Sequence, residues 1–340
     1  MERKDLLIGI DLGTSWTAIA TSKEDHRAIF QSVVGYPKDI IGAKILGGTY
    51  IVGEEALQKS FLNPVFPLDD GVIKESGDKA FDAARKLIEY AVELAGPEED
   101  ERICGVVGVP ANASVTNREL VLALAEEVMD VALVVSEPFA VGYGMDKLVN
   151  CIVIDIGAGT SDICGLKGTL PKPDDQASMS KAGNFIDDLL MDSIIVKYPN
   201  VQVNKIVCRS IKEQHAFVGK PKEPVIVDMR EEGKPVKVDL TDEIRGACEA
   251  IVPDIIEQVQ KLIRGFAPED QAAAASNIVL AGGGSRIRGL DQMIIEELHE
   301  YGDIMVTCVP DIMYSGAEGA LKLATDVPPE YWGELGEVSA

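Results

Sequence analysis

One pattern occurs twice in this chain, and it limits the available folds more than any single element does. Residues 8–20, IGIDLGTSWTAIA, run from apolar residues to an aspartate, a glycine and two hydroxyl side chains, then become apolar again. Residues 152–164, IVIDIGAGTSDIC, repeat the layout with Asp155 in the place of Asp11, 144 positions further on. Each copy reads as a buried strand, a tight turn and a second buried strand. Strand-like and helix-like stretches alternate after both copies. The repeat therefore predicts two similar α/β units, for which 340 residues are long enough.

The turns suggest a chemistry. A glycine there lets backbone N–H groups reach an anion with no Cβ in the way. In the first turn Gly13 is followed by the hydroxyl donors Thr14 and Ser15, and Gly157, Ala158, Gly159 and Thr160 form the second. Asp11 and Asp155 would repel phosphate directly. The pattern therefore predicts an intervening Mg2+, bound by these two carboxylates largely through water. A third segment, IVLAGGGSRIRGL at 278–290, ends a strand on Gly282, Gly283, Gly284 and Ser285. Three glycines allow close approach of a flat ligand or a phosphate, and Arg286 could lie along a purine face. The segment is not the dinucleotide fingerprint, whose glycine spacing and N-terminal position it lacks.

Periodicity predicts strands over 6–10, 17–21 and 28–34, with strand character again over 45–52. Helical spacing runs over 78–95 and 117–129, with strands at 103–109 and 132–135 between and after. In the second half, strands are expected at 151–156 and 161–166, a loop at 167–180, and a polar, less regular insertion over 187–238. One long amphipathic helix is expected over 242–266, then a strand at 277–281, a last helix at 315–325, and an irregular tail to Trp332.

A net charge of −24 repels phosphate backbones and anionic lipid, so neither nucleic acid nor a membrane surface is an expected partner. The six cysteines form no Cys-x-x-Cys pair and no zinc spacing, and they suit a reducing cytosol. No signal peptide, bilayer-spanning run or N-terminal amphipathic anchor is evident, which predicts a cytoplasmic protein without a direct membrane anchor.

Taken in order, the two Asp-x-Gly-Thr/Ser hairpins and the late AGGGS turn resemble the phosphate and adenosine motifs of the actin, sugar kinase and heat-shock chaperone ATPase superfamily. The resemblance covers nearly the whole chain. It implies an actin-like fold of two related ribonuclease-H-like domains around a central nucleotide cleft, each carrying an insertion subdomain. The first domain would comprise 1–146 plus 315–340 with an insertion near 34–71, and the second 147–314 with an insertion near 183–242. It also implies ATP and Mg2+ as ligands. SEPFAVGYG at 136–144 resembles the first connecting segment, in which Glu137 would orient or activate the attacking water alongside Asp11 and Asp155. IKEQH at 211–215 resembles the pair that contacts ribose and adenine, here Lys212 and Glu213, and Gly183 would meet the nucleotide at the start of the second insertion.

Size and insertions favour the bacterial actins. The stretches at 32–39, 134–139, 281–290 and 328–332 resemble the branch whose cytoplasmic filaments organise magnetosome chains. This implies an ATPase that polymerises with itself, with magnetosome-associated proteins as further partners. Three alternatives stay open: a shape-determining or plasmid-segregating actin, a small-molecule kinase using Asp155 as base, and a non-catalytic nucleotide-binding scaffold. One departure is Trp16, in a loop where relatives lead on to a phosphate-binding lysine.

Overall fold

The computed structural model describes residues 4–24, 26–74 and 78–332. The chain divides into two units, Met1–Leu148 with Pro310–Ala340, and Val149–Val309. The central sheet of the first unit contains β1 (Lys4–Leu12), β2 (Trp16–Thr21), β3 (Arg27–Gln31), β4 (Glu101–Val109) and β5 (Val131–Ser136). Their order is β5-β4-β1-β2-β3. The first three run parallel, and β2 and β3 are antiparallel. In the second unit β6 (Val149–Ile156), β7 (Ser161–Lys167), β8 (Gln176–Met179), β9 (Ile278–Ala281) and β10 (Val306–Cys308) assemble as β8-β7-β6-β9-β10. The directions match those of the first sheet strand for strand. The twofold pattern in the sequence is thus one topology used twice, with the aspartate-bearing strand at the centre each time.

Both faces of β1 are buried, which is why its sequence is a nearly unbroken apolar run. Leu6, Ile8, Ile10 and Leu12 enter the core formed with Leu87, Ile88 and Ala91 of a long helix (Asp78–Leu94). The opposite face carries Gly9, against which the C-terminal helix (Ser315–Asp326) lies so close that a Cβ would fall 2.1 Å from the Ala317 carbonyl oxygen. The same helix meets the Glu137–Gly144 helix at Gly319, where a Cβ would stand 1.9 Å from the Ala140 carbonyl oxygen. Small residues at 316, 317, 319 and 320 make this contact possible.

Several expected elements differ. Residues 40–46 form a helix, α1 (Ile40–Leu46), and only Ile51–Val52 is extended. The Asp39 carboxylate accepts from the Ile41 and Gly42 amides, and left-handed Gly47 ends the helix, so caps override β-branched propensity. The strand expected to Val34 stops at Gln31, and Val34–Pro37 belongs to a separate small sheet. The loop expected at 167–180 contains β8. The insertion over 187–238 is regular: α2 (Gly183–Lys197), α3 (Lys205–His215) and a hairpin of Ile226–Glu231 with Lys234–Asp239. Its turn residues Glu232 and Gly233 both have positive φ, which suits the right-handed twist of paired strands.

The long helix expected at 242–266 is two, α4 (Thr241–Glu249) and α5 (Val252–Gly265). Pro253 sits in the first turn of α5, where its missing N–H costs nothing. Residues 329–332 are helical rather than irregular, and Trp332 is buried, its Nε1 donating to the Ala324 carbonyl at 3.2 Å. The remainder of the expected first domain, 333–340, lies outside the described residues. Five of the six free cysteines are buried and Cys308 is exposed. Among the described residues no helix is long and apolar enough to cross a membrane.

Two glycines separate tight packing from intrinsic propensity. Gly319→Ala forces a Cβ into backbone and is expected to lower stability by about 1–3 kcal/mol or more. Gly246→Ala, in α4 with open space around the added methyl, is expected to raise it by roughly 0.5–1 kcal/mol. Urea unfolding of both variants checks the pair of opposite signs.

Candidate functional site

The parallel strands of the first unit deliver their candidate residues to one sheet edge. Asp11, near the end of β1, is in register with Gly108 of β4, and Val109 is in register with Ser136 at the end of β5. Glu137 follows Ser136 and begins a helix, and its Cγ would lie 3.3 Å from a Cβ at Gly108. Asp11 and Glu137 are thereby brought together at the carboxyl ends of parallel strands, where open α/β sheets bind ligands.

The turn between β1 and β2 is held from outside by residues that motif reading does not single out. The Ser32 hydroxyl donates to the Gly13 carbonyl at 2.6 Å, and the Ser32 amide donates to the Ser15 carbonyl at 3.0 Å. The Gly71 amide donates to Thr14 Oγ1 at 2.8 Å, leaving the Thr14 O–H to donate elsewhere. Ser32 lies just where β3 ends, so the break in that strand has a use. Trp16 starts β2, is exposed and stands opposite Gln31.

Asp11 keeps some solvent contact as a residue, but its carboxyl group faces packed protein. Gly316 of the C-terminal helix lies so near that a Cβ there would fall 2.4 Å from Asp11 Oδ2. Burial pushes the Asp11 carboxyl up to about 6.

The second unit repeats the device. Asp155 of β6 is in register with Asp162 of β7 and Ala281 of β9. Gly282 follows with φ of 70°, and a Cβ there would fall 2.3 Å from Asp155 Oδ1. A Cβ on Gly284 would collide with the Ile156 side chain, whereas Gly283 faces open space. At Gly282 and Gly284 the chain itself thus requires the missing Cβ, whereas the Cβ position at Gly283 is open. Ser285 closes the turn by donating from Oγ to the Gly282 carbonyl at 2.7 Å, and Arg286 is exposed.

The turn at 157–160 closes with the Gly157 amide donating to the Thr160 carbonyl at 2.8 Å. The first amides of α2 fasten to it: Gly183 N–H to the Gly157 carbonyl at 3.1 Å, and Asn184 N–H to the Ala158 carbonyl at 2.7 Å. Gly183 is therefore placed against the second turn. Lys212 of α3 donates to the Gly183 carbonyl at 2.7 Å and pairs with fully buried Asp187 at 2.8 Å. Its neighbour Glu213 is exposed. Arg288, beyond the glycine turn, donates to the His215 carbonyl at 2.9 Å and so caps the end of α3. Asp187 and Arg288 each sit within a motif but are identified as supports only by their contacts.

The residues suit a Mg-nucleotide. Each unit offers one hard carboxylate oxygen donor at a strand end, beside a glycine whose side chain would otherwise crowd it. Among the described residues no group of three or more His, Cys, Asp or Glu side chains gathers to hold a metal. Mg2+ needs no such cage, because it keeps waters and binds through one or two carboxylates plus substrate phosphates.

The Asp11 carboxyl yields a prediction with a definite sign. Its folded pKa lies above the unfolded value, so its contribution favours folding at low pH and is lost as pH rises through about 6. At pH 7.5 the buried charge costs up to about 3 kcal/mol. In nucleotide-free protein, Asp11→Asn is therefore expected to unfold at higher urea than the parent at neutral pH, with the difference vanishing below about pH 4. Urea titrations across that range test it.

Comparison with known proteins agrees with this architecture. The MreB/Mbl protein family matches residues 5–328. The actin-like protein MamK of Paramagnetospirillum magneticum (strain ATCC 700264 / AMB-1) is 51% identical over 335 residues, covering 98% of this chain and 96% of that protein. A solved MamK double helical filament superposes with TM-score 0.93 at 50% identity, covering 96% of this chain and 100% of that one. A non-polymerising MamK mutant bound to AMPPNP superposes with TM-score 0.77, also at 50% identity, covering 95% and 100%. The chain thus has an actin-like fold and belongs to the MreB/Mbl protein family, grouping within it with the actin-like MamK proteins.

Proposed function

We propose that this chain is an ATP-hydrolysing cytoskeletal protein that polymerises with itself into cytoplasmic filaments organising magnetosome chains. The observation that carries the nucleotide chemistry is the paired strand-end device: a carboxylate, a glycine turn and a tightly packed glycine, built twice. The filament assignment is supported by full-length similarity to MamK, which was solved both as a double helical filament and, as a mutant, with AMPPNP. Magnetosome-associated proteins are the further partners this role calls for.

Each unit's phosphate turn is built to bind nucleotide phosphates. Backbone amides of 13–15 and 157–160, with the Thr14, Ser15 and Thr160 hydroxyls, supply donors to the phosphates. In each unit the strand-end carboxylate, Asp11 or Asp155, would be the donor toward Mg2+. When bound, the ion neutralises phosphate charge, a task for which the first loop, with Trp16 in place of lysine, offers no cation. Glu137 orients the attacking water and accepts its proton, next to Asp11 on the same sheet edge. Gly283 and Arg286 face the base, and Lys212 and Glu213 border the ribose. Catalysis is then positioning and electrostatics. A head-to-tail, heterologous contact between copies extends an open filament.

Glu137→Gln is expected to slow phosphate release at least about 100-fold while ATP still binds. Sedimentation with ATP and Mg2+ should pellet the parent protein without any added small substrate. Unchanged turnover in Glu137→Gln would remove that residue from its role. Turnover that requires a hydroxyl substrate, with no pellet, would replace the filament reading by a kinase one.

A further inference from the structure

We infer that Asp187 is a positioning residue for the nucleotide: acting through Lys212, it fastens α3 to the second phosphate turn so that the two grip the ligand as one body. This inference rests on the ATP reading and assigns to that site a support that does not itself touch the ligand.

Asp187 lies in the early part of α2 and has no solvent exposure. A carboxylate so placed is costly unless paired. Its partners both come from α3: Lys212 Nζ at 2.8 Å and Arg209 Nε at 3.5 Å. The same Lys212 ammonium also donates to the Gly183 carbonyl, and Arg209 Nη2 donates to Asn184 Oδ1 at 3.0 Å. Gly183 and Asn184 are the two residues whose amides are fastened to the Gly157 and Ala158 carbonyls. A continuous chain of contacts therefore runs from the turn at 157–160, through the start of α2, to the charged face of α3.

The last turn of α3, which carries Lys212, is tied a second time. Arg288 donates to the His215 carbonyl, and the Val218 amide donates to the Arg288 carbonyl at 3.0 Å. Arg288 stands two positions beyond Arg286 and its glycine turn. The last turn of α3 thus joins the phosphate turn to the glycine turn, and Asp187 fastens it on the phosphate side. A ligand that spans both turns gains from this pre-organisation, whereas one that fills only the phosphate turn gains little.

The test compares ATP with tripolyphosphate, each with Mg2+, in the full-length parent, Asp187→Asn, Lys212→Met and the double variant. Asp187→Asn is expected to weaken ATP at least tenfold and tripolyphosphate less than threefold. In the Lys212→Met background the same change should add less than threefold, because Asp187 acts through that lysine. If Asp187→Asn alone does not fold, Asp187→Asn with Lys212→Gln supplies a neutral hydrogen-bonding pair and should fold with the same selective loss. Unchanged ATP affinity in a folded variant, or equal losses for both ligands, would overturn the inference and leave a purely structural ion pair. Parent protein that binds neither ligand would overturn the ATP reading instead.

Discussion

The structure depends on backbone pressed against two strand-end carboxylates. In the first unit Gly316 lies over Asp11, and in the second Gly282 lies over Asp155, each at a distance where a side chain would collide with a carboxylate oxygen. Close packing there limits what each aspartate can face. Everything around it follows from this constraint: small residues on the C-terminal helix, a left-handed glycine after β9, and turns with bare backbone at the sheet edge. A buried carboxylate without a nearby cation is a liability for a folded protein, and Asp11 shows it in its raised pKa. A cation bound beside Asp11 would relieve that cost.

The second unit handles another buried charge in the opposite way. Asp187 is wholly buried but has Lys212 and Arg209 beside it. The contrast lies in their surroundings. Asp187 is held by protein cations, whereas Asp11 and Asp155 are packed against glycine backbone. In a chain of net charge −24 the placement of these few paired cations matters more than their number.

The repeat in the sequence carried most of the fold, because an apolar strand, a glycine turn and an apolar strand leave few alternatives when both faces are covered. The strands bearing Asp11 and Asp155, the helix after residue 78 and the last helix were all legible on that basis. Local capping was harder to see. Residues 45–52 read as strand, yet Asp39 and Gly47 bound a helix over Ile40–Leu46. Pro253 signalled a new helix start inside one amphipathic period. At the site, residue types were legible but tertiary uses were not. Gly282 and Gly284 read as space for a ligand, but the chain itself takes up that space. Lys212 read as a contact to ribose and adenine, and its ion pair with Asp187 appears only once α2 and α3 are packed. Ser32, which pins the first turn, opens the 32–39 stretch, but nothing in that stretch marks it as a support for the turn. Its role arises from contacts made after β3 ends.

The central claim is that the glycine turn of each unit is a phosphate-binding turn for nucleotide. Hydrogen–deuterium exchange of the full-length protein, titrated with ATP and Mg2+, measures this directly. The account predicts that amides of 13–15 and of 157–160 both gain protection as ATP is added. Protection absent from either turn would contradict it.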